Sequence, residues 1–362
     1  MSPPHYQLLA GRDLDDPSLL TAWRQAQALH PALQSPYFSP EFARAVGAVR
    51  GDVRVLVRED SGCATGFFAH QRSAFGWGRP VAGPLSDFHG LIGAPGLEWE
   101  FEPMLRAAGL AGWSFDHLAG DTRAFEPFAS GRALSPQIDL RRGFDSYVAE
   151  RRAAGSDYIP KTEGLARKLA REAGELRFTL HDTAPEALAQ LFAWKRQQYA
   201  QSGIADVFGV RWTVALMQRL SAADGEHFAG QCSTLRAGDR IVAVHLGMRS
   251  RRVFHYWFPA YDPAFAKYSV GIVLLLRMAQ ALASDGVQMI DLGKGVSQYK
   301  ERLMTGSTEL LEGAIERPSL LARLRQWRRN ADAAAVRGGA SGSLLRWPLA
   351  ALRRVEWLRR LR

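Results

Sequence analysis

The sequence is poor in cysteine: Cys63 and Cys232 are its only two, far apart in a chain of 362 residues. Two distant thiols build neither a disulfide framework nor a Cys-rich metal site, and such usage fits a reducing compartment. No run of about 18 apolar residues occurs, so no helix is expected to span a bilayer. The opening Met1-Ser-Pro-Pro-His-Tyr6 lacks the basic and apolar regions of a secretory leader, so a cytoplasmic location is expected. No His/Cys/carboxylate cluster has metal-ligand spacing, so no metal is expected. A Gly-x-Ser-x-Gly nucleophile elbow and a Walker A loop are also missing. Ser-hydrolase and P-loop chemistry have no support.

What is present is ordinary globular material, 47% hydrophobic and 23% charged, enough for two domains. The net charge of +10 is unevenly placed. From Pro318 to Arg362 eleven arginines face only Asp332 and Glu356, which leaves the rest of the chain nearly neutral. A nucleic-acid partner is therefore not expected, because the body has no extended basic face. The tail interleaves Leu and Trp with Arg from Leu344 to Arg362. That composition suits an interfacial helix lying on anionic lipid at the inner face of a membrane, and equally a helix docked on the body or a partly disordered end.

Hydrophobic periodicity and turn residues sort the body into two blocks with the same order of elements. In the first, strands at 53–58, 64–72 and 76–81 precede a helix near 98–110 and a strand at 113–118. In the second, strands at 231–237, 240–249 and 252–258 precede a loop, a helix at 271–284 and a buried strand at 287–292. A basic helix at 155–174, a strand at 176–180 and a helix at 185–201 lie between them. With Ser250-Arg251 as a two-residue turn, His245 faces Tyr256, and His245 and His255 lie on opposite faces. The expected domains are 1–144, 145–317 and the tail 318–362.

The helix opening at Gly271 is apolar on nearly every side, hence buried. Its unsatisfied N-terminal amides suit a pyrophosphate, although Ser269 could equally act as a simple helix cap. Asp291-Leu-Gly-Lys-Gly295 ends a buried strand, the place where open α/β sheets hold ligands.

Together, several segments resemble one known family: Arg240-Ile-Val-Ala-Val-His-Leu-Gly247, Phe254-His-Tyr-Trp-Phe-Pro-Ala-Tyr-Asp-Pro263, Tyr268-Ser-Val-Gly271, Asp291-Leu-Gly-Lys-Gly295 and Tyr299-Lys300. These are the GNAT-superfamily acetyltransferases of the CelD/BcsL type, related to the FemAB aminoacyltransferases. The Ser86-Asp-Phe-His-Gly90 loop and the Trp194-Lys195…Tyr199 helix are similar too. The resemblance covers roughly residues 40 to 310. It implies an α/β (α+β) architecture of tandem GNAT-like domains, each a mixed, mostly antiparallel sheet flanked by helices. It further implies acetyl-CoA as acyl donor and an acceptor that is a small molecule, sugar or polysaccharide precursor. The family's Gln/Arg-x-x-Gly-x-Gly/Ala loop is altered here to Tyr268-Ser-Val-Gly-Ile-Val273.

On that basis Phe258, Tyr268, Ser269, Val270, Gly271 and Ile272 are the expected donor-binding residues. Acetyl transfer needs a base for the acceptor and an acid for the thiolate. Tyr299 or Tyr268 could supply the acid, and His245 or Asp291 the base. Asp87, His89, Trp194, Lys195 and Lys300 are the expected substrate contacts. Two other readings stay open: an aminoacyl-tRNA-dependent transferase using the Lys161–Arg171 helix, and a catalytically silent scaffold of a membrane polysaccharide-synthesis complex.

Overall fold

The computed structural model describes residues 3–318, so the expected membrane contact through the tail lies outside the described residues. The first half runs β1 (His5–Ala10), α1 (Pro17–Leu29), α2 (Pro40–Val49), β2 (Val53–Asp60), β3 (Cys63–Arg72), β4 (Trp77–Arg79), a short β5 (Ile92–Gly93), α3 (Phe101–Ala107), β6 (Gly112–Leu118) and β7 (Ala129–Asp139). Helices α4 (Phe144–Ala153) and α5 (Tyr158–Ala173) follow. The second half repeats the order with β8 (Leu176–Thr179), α6 (Pro185–Ser202), α7 (Arg211–Ser221), β9 (Ala229–Ala237), β10 (Arg240–Arg249), β11 (Val253–Tyr261), α8 (Val270–Ser284), β12 (Met289–Asp291), α9 (Gln298–Leu303) and β13 (Gly306–Glu316). Local chemistry sets several ends. Asp16 caps α1 by accepting the Ser18 amide at 2.8 Å, Pro185 opens α6, and Gly203 closes α6 in the left-handed region.

Twelve strands form one continuous sheet in the order β1-β2-β3-β4-β6-β13-β7-β12-β11-β10-β9-β8, with β5 attached to β3. The two halves thus mirror each other, with one exchange. The last strand of the first half, β7, pairs with β12 of the second, and β13 pairs with β6 of the first. β7 and β13 also pair with each other along eight positions from Gly306↔Gln137 to Gly313↔Ala129. A boundary at residue 144 therefore assigns to each half a strand that lies in the other's sheet. One core is shared: Trp23, Phe42 and Val46 from α1 and α2 join Leu191, Leu216 and Leu246 on the same face. On the other face α8 and α3 bury separate cores.

The β10–β11 hairpin departs from the expected register. Ser250 pairs with Val253 through its amide, 2.9 Å from the Val253 carbonyl, so the turn lies one residue later, at Arg251-Arg252. The pairing then slips: Met248 faces His255, but Leu246 faces Phe258, so β11 carries a bulge at Tyr256-Trp257. His245 stacks on Tyr256 at 4.1 Å, and its Nε2 accepts the bulged Trp257 amide at 3.0 Å. The bulge also turns Phe258 away from His245 and into the shared core, where it meets Phe208.

Gly247 is required opposite this bulge. A Cβ there would lie 2.5 Å from the His255 carbonyl and 2.6 Å from both the His245 and Phe254 rings. Gly247→Ala is expected to cost about 1–3 kcal/mol by overpacking. Gly306→Ala, where nothing lies within 4 Å, should stay within about 0.5 kcal/mol of wild type. Urea melts of the two variants check this.

Candidate acyl-transfer site

The site follows from where pairing stops. β11 and β12 are parallel and bonded only from Val253↔Met289 to His255↔Asp291. Beyond that point β11 continues to Tyr261 while the chain after Asp291 turns away through Leu292-Gly293. The parting strands open a cleft of about 550 Å³ whose lining includes Tyr256, Tyr261, Trp194, Lys195, Gly271 and Tyr299. A gap of this kind at the C-terminal end of a parallel pair is where α/β sheets take ligands.

At one end of the cleft stands the start of α8. Ser269 holds a left-handed backbone, with φ +53°, and makes no side-chain cap. Its carbonyl takes the Ile272 and Val273 amides at 2.8 and 3.0 Å. The Val270 and Gly271 amides belong to this first turn, where the helix dipole favours an anion. A Cβ on Gly271 would come within 3.4 Å of the Tyr261 ring, so glycine keeps this entrance open. Tyr268 lies just behind, buried, with its hydroxyl on Glu172.

Burial, with Tyr158 nearby, holds the Tyr299 hydroxyl up at about 12. Tyr256 is likewise raised by burial. Both stay protonated at neutral pH. Burial alone brings Lys195 down to about 8.

A second group of polar residues sits where the halves meet. His255 is completely buried; its Nε2 is 2.9 Å from Asp87 Oδ2 and its Nδ1 3.2 Å from Asp291 Oδ1. Burial pulls this imidazole down, but the flanking Asp291 and Asp87 carboxylates outweigh it and hold it up at about 9. The opposite charge keeps the Asp87 carboxyl below its usual range despite burial. Asp291 accepts Ser135 Oγ at 2.9 and 3.0 Å and the Gly293 amide at 2.8 Å. Toward solvent, His117 Nε2 lies 3.6 Å from Asp87 Oδ1 and its Nδ1 2.9 Å from Asp116. Lys294 bonds Glu312 and the Asp116 carbonyl, and Lys300 donates to the Gly293 and Gly295 carbonyls at 2.8 and 3.0 Å.

The expected residues divide accordingly. Trp194, Lys195, Ser269, Val270, Gly271, Ile272 and Tyr299 share the cleft. Asp87 and Asp291 meet on His255, and Lys300 braces the loop that follows Asp291. Phe258 is in the core, and Tyr268 contributes from behind. His245 is buried with its Nε2 already accepting an amide, and burial keeps it neutral, so it secures the bulge instead of serving as a base. Asp291 is equally committed. His89 is lowered to about 3 by burial, and its Nε2 accepts the Asp116 and His117 amides at 3.0 and 3.1 Å, which makes it a structural brace. His255, His117 and Ser135 are the site residues that sequence reasoning did not assign. An inward-facing histidine in the alternating Val253–Phe258 strand was the one available signal. Among the described residues, no group of three or more His, Cys, Asp or Glu side chains is arranged to hold a metal ion.

Residues 163–301 match the acetyltransferase (GNAT) domain family. Over the whole chain the fold is similar to that of FemX, with TM-score 0.56 at 9% identity, covering 90% of this chain and 100% of that one. It is also similar to L-PGS from Bacillus licheniformis, with TM-score 0.50 at 13% identity over 85% and 95% of the two chains. The C-terminal domain of a lysylphosphatidylglycerol synthetase homologue from Agrobacterium fabrum gives TM-score 0.51 at 14% identity, over 86% and 96%. No curated protein sequence matches significantly. The chain has the GNAT acyltransferase fold, in a mixed α/β form with a large, mostly antiparallel sheet. No described helix is long and apolar enough to cross a membrane.

The charged His255 pair makes a testable statement about stability. An imidazole raised from about 6.5 in the unfolded chain to about 9 in the fold stabilises fully below the lower value. That stability is lost as pH rises through the upper one. The wild-type melting temperature should fall between pH 7 and 10 more steeply than that of His255→Asn. Parallel curves would mean that the folded imidazole is neutral.

Proposed function

We propose that this chain is an acyltransferase that takes an acetyl group from acetyl-CoA and delivers it to an amine or hydroxyl. The acceptor, following the CelD/BcsL resemblance, is a sugar or a polysaccharide or cell-envelope precursor. One observation carries the proposal: the gap between β11 and β12 joins the start of a long buried helix and a proton-holding tyrosine in one cleft.

The residues divide the work as follows. The Val270 and Gly271 amides, aligned with the α8 dipole, receive the donor's pyrophosphate. Tyr299, kept protonated by burial, is placed to give its proton to the leaving thiolate. Asp87 is a poor base because His255 stabilises its charge, but it is a good hydrogen-bond acceptor for acceptor hydroxyls. Its Oδ2 is occupied by His255, while Oδ1 is 3.6 Å from His117. The acceptor's own proton leaves to water. His255 and Tyr256 are consecutive and face opposite sides of the sheet. Donor and acceptor approaching from the two faces can therefore meet only where the strands part.

The aminoacyl-tRNA reading draws on the FemX-like fold and on α5. On that helix Lys161 and Lys168 are taken up by Asp157 and Glu172 one turn away, which reduces its free positive charge. Salt-sensitive RNA binding would favour it.

A thermal-shift titration tests the donor site. Acetyl-CoA at about 100 times its dissociation constant should stabilise by roughly 2.7 kcal/mol, a shift of a few degrees, with no shift from ATP. Gly271→Asp should abolish the shift by repelling phosphate, and an unchanged shift would move the donor elsewhere. Tyr299→Phe should lower kcat by about 10²–10⁴-fold with the shift retained. Wild-type turnover in that variant would remove Tyr299 from the mechanism.

A further inference from the structure

The sequence has six lysines, and five of them have carboxylate, carbonyl or ring partners. Lys161 pairs with Asp157 at 2.5 Å, Lys168 with Glu172 at 3.8 Å, and Lys294 with Glu312. Lys300 donates to three carbonyls, and Lys267 lies 4.8 Å from the Tyr268 ring centre. Lys195 is different. It is 8% exposed; its single hydrogen bond among the described residues goes to the neutral Gln198 Oε1 at 3.1 Å, its ammonium lies 5.8 Å from the Tyr199 ring centre, and it has no carboxylate partner among them. The titratable groups around it are Tyr199 on its own helix, His245 on β10, Tyr256 on β11, and Tyr158 and Tyr299 across the cleft. Among the described residues, no carboxylate lines that cleft.

A lysine buried without a counter-ion keeps its charge at a cost and favours the free amine. A free amine in a cleft that receives thioesters is a nucleophile held beside its electrophile.

We infer that Lys195 is a site of self-acylation: its Nζ takes the acyl group of a bound acyl thioester when no acceptor is present. The Nζ lone pair attacks the thioester carbonyl carbon and the carbon–sulfur bond breaks. The proton lost by nitrogen ends on the departing thiolate, giving an Nε-acyl-lysine and free thiol. The amide is stable and uncharged, so the mark ends in the cleft and blocks it; it is not an intermediate for onward transfer. The inference rests on the acyl-thioester reading of the cleft.

The test is peptide mapping by mass spectrometry of the full chain after incubation with acetyl-CoA, without acceptor, over a pH series. A CoA thermal-shift titration runs on the same material. Lys195 should be acetylated at least about tenfold faster than Lys161, Lys168 or Lys267. Its rate should rise with pH and level off near 8, where the amine becomes neutral. Excess CoA should protect it, and fully marked protein should lose the CoA shift. Lys195→Arg, checked for folding by its melting transition, should lose the mark. A CoA shift with Lys195 unmarked, or marked no faster than the surface lysines, overturns this inference and leaves the donor site standing. Absence of both shift and mark overturns the acyl-thioester reading and the inference with it.

Discussion

The arrangement depends on one buried charge. His255 sits on β11 without access to water, and a charged imidazole there is tolerable only between carboxylates. Those carboxylates come from both halves of the chain: Asp87 from the loop after β4, Asp291 from the end of β12. Docking the halves and charging the histidine are therefore one event. Ser135, on the strand that the first half lends to the second, fixes Asp291, so the strand exchange serves the same contact. Removing any one partner leaves an uncompensated group in a dry interior, which is far more costly than losing a surface pair.

The same contact fixes where the sheet opens. β11 and β12 are bonded as far as His255 and Asp291, then part. The opening would be a liability in an ordinary sheet, because unpaired backbone groups seek partners. Here the β11 side is managed by a bulge whose freed Trp257 amide is taken by His245, with Gly247 leaving room for the ring. The lower end of the opening is a pinned ion pair and its upper end the start of α8. Its walls carry tyrosines that burial keeps protonated at neutral pH. On the proposed reading, these would supply an anion seat, a proton donor and a route for the acceptor.

The first half differs at the matching place in the order of elements. A cleft near the start of α3 is lined by Leu97, Trp99 and Phe101. Leu97 and Trp99 lie so close to Gly66 and Gly93 that a Cβ on either glycine would clash. Helix α3 spans only Phe101–Ala107, about two turns, and offers a shorter dipole than α8. The repeat has thus kept its architecture in both halves, with an open cleft and a long buried helix in the second.

Much of this was legible in the residues. The repeated order of strands and helix, the buried character of 271–284 and the glycine-bearing turn after Asp291 follow from local periodicity and turn chemistry, which short stretches of sequence encode directly. So did the opposite facing of His245 and His255, because alternation along a strand is a local rule. The particular roles of those two histidines were not legible. They depend on a one-residue bulge that turned Phe258 inward and gave His245 an amide to hold, and on Asp87, 168 positions away, reaching His255. The exchange of β7 and β13 was equally invisible, since strand pairing is chosen by the assembled sheet and not by either strand. The sequence by itself determined which segments become strands and helices and which residues could do chemistry. Only the tertiary structure decided which of those residues are free to act, because burial and the partners supplied by distant segments set their charge and occupation.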